Sequence, residues 1–429
     1  MPTLPRHPLR AIAINGGWIL ADKILRQGLT VLVGAWVARH LGPGQYGSLA
    51  YVLALLAFFQ VVAALGADVL LVRDMARDPE QAGEVLGVAL RLRLLAGAGA
   101  WALAVLLMLA LHGPGHPAVL LTALAGAVMV FQPGDLVDLW FQSQSQARRT
   151  VLARSGAYLL SAGIKVGLIL AGAPLWSFAL MVSVEAALCA VGMALAYRRF
   201  PTPQPWAYSA LRAGALLREN WPFLLGGLSV ITYLRIDQLM LQQFLGTTQL
   251  GLYAALLPLS QAAQFVPVSL VAALGPVIAQ KKLQGEQAYE DALVHVFRLF
   301  GALGLGASLC IAVFSPWLVP LLFGPAYQGA IPVLMVHGLT NFFIFQGVAQ
   351  GLWVANESAG RIVLIKALLG ALASVAANLL LLPRYGLMGA AWAAIAAQAV
   401  STVLSNFVLA PRVALMQFGL RPRSARAVS

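Results

Sequence analysis

Charge is what this sequence has least of. Only 10% of its 429 residues are Asp, Glu, Lys or Arg, against 60% hydrophobic, and the mean hydropathy is +0.82. A soluble chain carries about 25% charged residues, so this one cannot cover a water-facing surface, and the soluble classes are excluded. Cysteine is nearly absent. Cys189 and Cys310 both lie in apolar segments, which leaves no disulfide framework and no metal-ligand spacing. They read as small packing residues. There is no Walker loop, so ATP is not the direct energy source. The apolar runs are continuous rather than alternating, which favours helices over a β-barrel. No small-residue cleavage site follows Arg6, His7 and Arg10, so the first apolar segment is expected to be a retained span rather than a signal peptide.

What is present is a series of apolar segments close to the roughly 20 residues a bilayer core requires. Twelve can be read: 15–38, 47–69, 86–111, 118–141, 151–172, 174–197, 221–243, 249–278, 292–314, 328–354, 362–382 and 386–410, numbered spans 1–12 below. The chain is therefore expected to be an all-α integral membrane protein. Span 8 carries Pro258, Pro267 and Pro276, where kinks are expected. With the N-terminus inside, 22 of the 28 lysines and arginines fall on the cytoplasmic side or at span ends facing it, Arg154 and Lys366 among them. Arg39 and Arg384 fall on the other side. Four lie within spans: Lys23, Arg26, Lys165 and Arg235. This bias places both termini in the cytoplasm. The net charge of +13 is then topological, suited to anionic lipid headgroups and not to nucleic acid. The connections opposite are short, the longest running from about residue 315 to 328.

The longest inner connection contains "RRFPTPQPW" and then "AYSALRAGALLREN". Its prolines interrupt helix, and Trp206, Leu211, Leu216 and Leu217 among arginines suit a short interfacial helix. It separates two halves. Residues 1–197 are expected to form an N-terminal six-helix bundle, 198–220 a cytoplasmic linker, 221–411 a C-terminal six-helix bundle, and 412–429 a basic cytoplasmic tail. The halves echo each other. Gly42, Gln45, Gly47, Gln60 and Arg77 meet Gly246, Gln249, Gly251, Gln264 and Lys281 at one offset of 204. Six spans per half give parallel repeats related by an axis along the membrane normal, with a site expected at the repeat interface.

An ionisable group inside a membrane needs a partner, a wet cavity or a function. On span 1, Asn15, Asp22 and Arg26 fall within about 40° of one another, with Lys23 and Thr30 beside them. On span 7, Arg235 sits roughly 21 Å along the helix. Asp237 points about 200° away from it, so the two do not make a simple pair. Lys165 lies mid-span 5, Glu185 mid-span 6, and Asp135 and Asp138 near the inner end of span 4. Several fixed cations suit an anionic ligand, and arginine matches phosphate in a fork geometry. The substrate cations read from the sequence are Lys23, Arg26, Arg235 and Lys165. Asp22, Asp237, Asp135 and Asp138 are read as H+ or Na+ coupling sites or structural partners. No other cofactor and no metal is expected.

Several stretches together carry a family resemblance: "ARHLGPGQYGSLAY" (38–51), "DLWFQSQ" (138–144), "RIDQLMLQQFLGTTQLGLYAA" (235–255), "LLFGPAYQGAIPVLMV" (321–336) and "LLPRYGLMGAAWAAIAAQ" (381–398). The chain resembles the Wzx-type O-antigen and exopolysaccharide flippases, the polysaccharide transporter branch of the multidrug/oligosaccharidyl-lipid/polysaccharide exporter (MOP, MATE-like) superfamily. The resemblance implies two six-helix bundles around an inverted-V central cavity in the bacterial inner membrane. It implies alternating-access transfer of undecaprenyl-pyrophosphate-linked oligosaccharide from the cytoplasmic to the periplasmic leaflet, and partners in the polysaccharide polymerase and chain-length machinery. Lys23, Arg26 and Arg235 would be its lumenal cations. The lipid II flippases of that superfamily carry two further helices; none is read after Arg426, which turns the expectation away from peptidoglycan. Two other readings stand beside it. A MATE-like drug antiporter would favour an acid-rich lobe. A membrane glycan polymerase or ligase would display a large catalytic periplasmic loop, whereas the short outer loops here offer only His112 and His116 in one of them.

Overall fold

The computed structural model describes the backbone of residues 8–144, 146–357 and 359–421, and their side chains from residue 24 onward except at 147 and 148. Every regular element among the described residues is helical. Among the described residues, eight continuous helical stretches are long and apolar enough to cross a membrane. Three of these hold two spans each: 1 and 2, 7 and 8, 11 and 12. Span 5 (Ala147–Leu170) is too polar to be among the eight, for reasons that concern the site below. The twelve apolar segments read from the sequence are therefore all helical, in an all-α membrane fold.

The chain divides into two compact units, Met1–Leu228 and Ser229–Ser429. The first packs a core of Leu71, Met75, Leu86, Leu136, Trp140, Phe141 and Met193. The second packs Ile278, Tyr289, Leu293, Phe297, Phe300, Phe345 and Met416. In each unit the fourth span is interrupted. Span 4 passes through a 3-10 turn at Gln132–Asp135, and span 10 is divided between Ile331–Gly338 and Thr340–Glu357.

The sequence repeat has a backbone counterpart. Helix Pro8–Ala64 breaks at Gly42 (φ 69°, ψ 167°), and helix Ala210–Gln261 breaks at Gly246 (φ 82°, ψ 177°), its partner at offset 204. The turns after spans 3 and 9 use Gly113 (φ 80°, ψ 166°) and Gly324 (φ 88°, ψ 178°). These are nearly one conformation used four times, in a region of backbone space that essentially only glycine occupies. Both breaks have open space around the missing Cβ, so the cost of a side chain there is backbone strain alone. Gly246→Ala and Gly42→Ala are each expected to cost about 1–3 kcal/mol, read as a fall in the thermal midpoint of purified protein; an unchanged midpoint would contradict the conformation.

Three expectations need correction. Residues 210–220 are not a separate interfacial helix, because the helix starting at Ala210 runs unbroken into span 7. Its Leu211 is exposed, but Ala213 and Leu216 join the first unit's core. The segment expected to be a loop from residue 315 is helical to Phe323, with Pro316 and Pro320 inside the helix. In span 8 the interruption falls at Ala262–Gln264, just ahead of Pro267, whose ring and missing N–H remove the preceding turn; Pro276 stays within Phe265–Leu283.

Candidate functional site

In the first unit the site is organised by one face of span 5. Arg154, Tyr158, Ser161 and Lys165 recur at helical spacing, which aligns them in a stripe. Each meets a partner from a neighbouring span. Arg154 reaches span 4, with Nη2 3.1 Å from Asp135 Oδ1 and Nη1 2.9 Å from Asp138 Oδ2. Asp138 is buried and also accepts from Gln142 Nε2 at 2.7 Å. The tyrosine ring lies under the Arg26 guanidinium of span 1, 4.7 Å from centroid to Cζ, a cation–π contact. Further along, Ser161 Oγ and Lys165 Nζ both donate to Glu185 Oε2 of span 6, each at 2.6 Å. Spans 4 and 6 approach closely because Gly134 packs against Ala190, where a Cβ would lie 2.8 Å from the alanine Cβ.

Two adjoining cavities open along this stripe. One, of about 250 Å³, is lined by Arg26, Thr30, Tyr158, Lys165 and Glu185 among apolar side chains. The other, of about 320 Å³, is lined by Gln60, Gln132, Asp135, Arg154, Lys165 and Glu185. Tyr158, Lys165, Val182 and Glu185 border both. The walls thus carry arginines, a lysine and carboxylates inside apolar helices, an arrangement that holds hydrated and charged groups at membrane depth.

The structure brings together some of the residues singled out from the sequence and separates others. Arg26 and Lys165 share a cavity. Asp135 and Asp138 share one guanidinium, that of Arg154, a residue whose position at the start of span 5 marks it in the sequence only as an inner-face charge. Two acids at i and i+3 near a span end were the available signal; which cation faces them depends on how spans 4 and 5 pack. The side chains of Asp22 and Lys23 lie outside the described residues.

In the second unit Asp237 is buried at 5% exposure. It accepts from Tyr253 Oη at 2.6 Å and from the backbone N–H of Gln238 at 2.8 Å. Tyr253 stands edge-on to His337, with centroids 5.8 Å apart. His337 Nδ1 and Ser260 Oγ are 2.9 Å apart, and Asn341 Nδ2 donates to the Ser260 carbonyl at 3.1 Å. Asp237 is therefore one end of a buried polar chain joining spans 7, 8 and 10. Arg235 is half-buried, and among the described residues no ion pair joins it to Asp237, in keeping with their opposed helical directions. The second unit also buries Lys366, at 6% exposure, in the wall of a cavity that the inner-end position of this lysine did not suggest. Among the described residues no cluster of three His, Cys, Asp or Glu side chains is placed to hold a metal ion.

A family model described as "Polysaccharide biosynthesis protein" matches residues 12–282, well over half the chain and all of the first unit's site. The chain belongs to that family. No curated protein matches it at a significant level. As a member of the polysaccharide biosynthesis family it shares a fold with solved transporters at low sequence identity. An inward-facing multidrug resistance MATE family transporter of the MOP superfamily aligns with a TM-score of 0.70 at 15% identity, over 92% of this chain and 99% of that one. Its outward-facing counterpart gives 0.62 at 17%, over 96% and 98%. The lipid II flippase MurJ in an inward closed conformation gives 0.67 at 13%, over 95% and 91%. The fold of this family member is thus the MATE/MOP fold.

Proposed function

We propose that this protein is a flippase that moves a lipid-linked, anionic oligosaccharide across the bacterial inner membrane. The cargo class is an undecaprenyl-pyrophosphate-linked repeat unit of an O-antigen or exopolysaccharide, taken from the cytoplasmic to the periplasmic leaflet by alternating access. The observation that carries this reading is Arg26 beside Lys165 in a cavity within apolar helices, in a chain of the polysaccharide biosynthesis family. Arginine's planar fork suits a diphosphate, and polar cavity walls spare a hydrophilic headgroup the cost of entering hydrocarbon. MurJ, a lipid II flippase by name, supports the reading through its fold. Asp135 and Asp138, sharing Arg154, are the acids we assign to an H+ or Na+ coupling step. Asp237, held by Tyr253, we assign to structure.

The direct test is fluorescence-reported flipping of lipid-linked oligosaccharide in proteoliposomes under an imposed ion gradient. Activity no higher than in empty liposomes overturns the proposal. Arg26→Ala and Arg235→Ala are each expected to lower flipping about tenfold, the scale of one lost charged hydrogen bond, with membrane insertion unchanged. Normal flipping by either variant removes that arginine from cargo handling.

A second reading is favoured by one observation: carboxylates of Asp135 and Glu185 line the second cavity, which also suits a cationic small molecule. Gradient-driven ethidium flux in the same proteoliposomes, without flipping, would select a drug antiporter.

A further inference from the structure

Lys366 lies on the inner part of helix Gly360–Ala399, and among the described residues none of its hydrogen-bond partners is a carboxylate. Its ammonium donates to three neutral oxygens: Gln350 Oε1, Asn406 Oδ1 at 2.8 Å and the Thr402 carbonyl at 3.2 Å. Thr402 belongs to a π-helical segment, Val400–Leu404, and such bulges alter the ladder of backbone acceptors. Its carbonyl accepts from two further side chains, Asn406 Nδ2 at 2.9 Å and Gln417 Nε2 at 3.1 Å. The longest of the three lysine bonds thus ends on the acceptor that least needs it. Lys366 can hand that N–H to an incoming anion and leave no buried carbonyl unsatisfied.

A cavity of about 390 Å³ adjoins this lysine, within the size range of small-ligand sites of about 300–1,000 Å³. Gln264, Gln398, Tyr233 and Ser401 stand on its wall, and among the described residues no Asp or Glu does. Gln264 is half-buried, and Gln398 is only 7% exposed. Amides and hydroxyls of this kind both donate and accept, as a polyol's hydroxyls do. Gly351 leaves one wall concave, with nothing within 4 Å of where its Cβ would stand.

We infer that this cavity is a binding site for an anionic polyol: its acid group takes the released N–H of Lys366, and its hydroxyls meet Gln264, Gln398 and Tyr233. Such a group occurs on an acidic sugar of a glycan and on a phosphoglycerol lipid headgroup. The site stands on the second unit's own geometry. It is tested by binding, whereas the flippase reading is tested by translocation, so either can fail alone.

The experiment is saturation-transfer NMR on the full chain in phosphatidylcholine nanodiscs, with glucuronate and glucose as probes. Glucuronate is expected to bind about tenfold more tightly than glucose, the scale of one charged hydrogen bond. Gly351→Leu fills the cavity without a collision at its Cβ, and should abolish glucuronate transfer while the thermal midpoint holds. Lys366→Met should bring glucuronate down to the level of glucose. Undiminished transfer in a folded Gly351→Leu protein, or equal binding of the two probes by wild type, overturns the site. Loss of the glucuronate signal when phosphatidylglycerol replaces phosphatidylcholine supports it and assigns the anion to lipid. Persistence of the signal assigns it to sugar.

Discussion

Glu185→Leu is expected to destabilise the protein by about 2–4 kcal/mol, and Lys165→Met made in the same chain to recover most of that loss. The two side chains are 26% and 25% exposed and 2.6 Å apart. Removing one member of such a pair leaves a charge in a poorly solvated place, which for fully buried pairs costs about 3–5 kcal/mol; partial exposure lowers the figure. Glu185→Leu also takes the acceptor from Ser161 Oγ. Replacing both ions by apolar groups of similar volume is often neutral or better, so the double variant should lie within about 1 kcal/mol of wild type. Reversible unfolding in mixed micelles of wild type, both single variants and the double variant gives the coupling energy directly. Additive effects would show that the two charges do not depend on each other. The same four proteins separate stability from transport. If Lys165 meets the cargo, the double variant regains stability but not flipping.

Gly87→Val is expected to cost about 3 kcal/mol or more, at the upper end of single-residue effects. A Cβ at this position would lie 2.1 Å from the Ala207 carbonyl oxygen and 2.8 Å from its nitrogen. Both are backbone atoms, so no rotamer change relieves the contact, and either the helix or the connection must move. Gly83 has the same relation to Gln204, whose carbonyl oxygen would lie 2.4 Å away. The connection between spans 6 and 7 is thus seated on the helix Ala82–His112 by two glycines one turn apart. Trp206 Nε1 donates to Tyr197 Oη at 2.6 Å, and Thr202 is buried. Lifting the connection exposes these groups. The expected signs are a lower thermal midpoint and new protease cleavage between residues 200 and 209. If Gly87→Ala, with the same Cβ, leaves both unchanged, the connection is not docked there.

The glycines show how the sequence and the structure divide the information. Gly42 and Gly246 were visible as a repeat because a turn that demands positive φ restricts the residue type, and that restriction is written in the chain. Gly83 and Gly87 carried no such signal. Their φ is ordinary, and what forbids a side chain is a strand of backbone more than a hundred residues away in sequence. The partners of Arg154 and Lys366 carried no sequence signal for a similar reason. Near the end of an apolar run, a basic residue that sets topology and one that enters a cavity look alike. The difference lies in whether a neighbouring helix offers water or acceptors.

The sequence by itself determined the membrane class, the helical spans, the turns at Gly42 and Gly246 and the duplicated plan, because each follows from local composition and period. It also determined that Arg235 and Asp237 point apart, since that is a property of one helix. Only the tertiary structure decided the partners. Asp135 and Asp138 with Arg154, Lys165 with Glu185, Arg26 with Tyr158, and Lys366 with three neutral oxygens all join different spans. An ion inside a membrane is compensated by whichever helix packs beside it. That choice depends on side-chain fit between helices, where small residues such as Gly134 set the approach, and no single segment of the chain contains it.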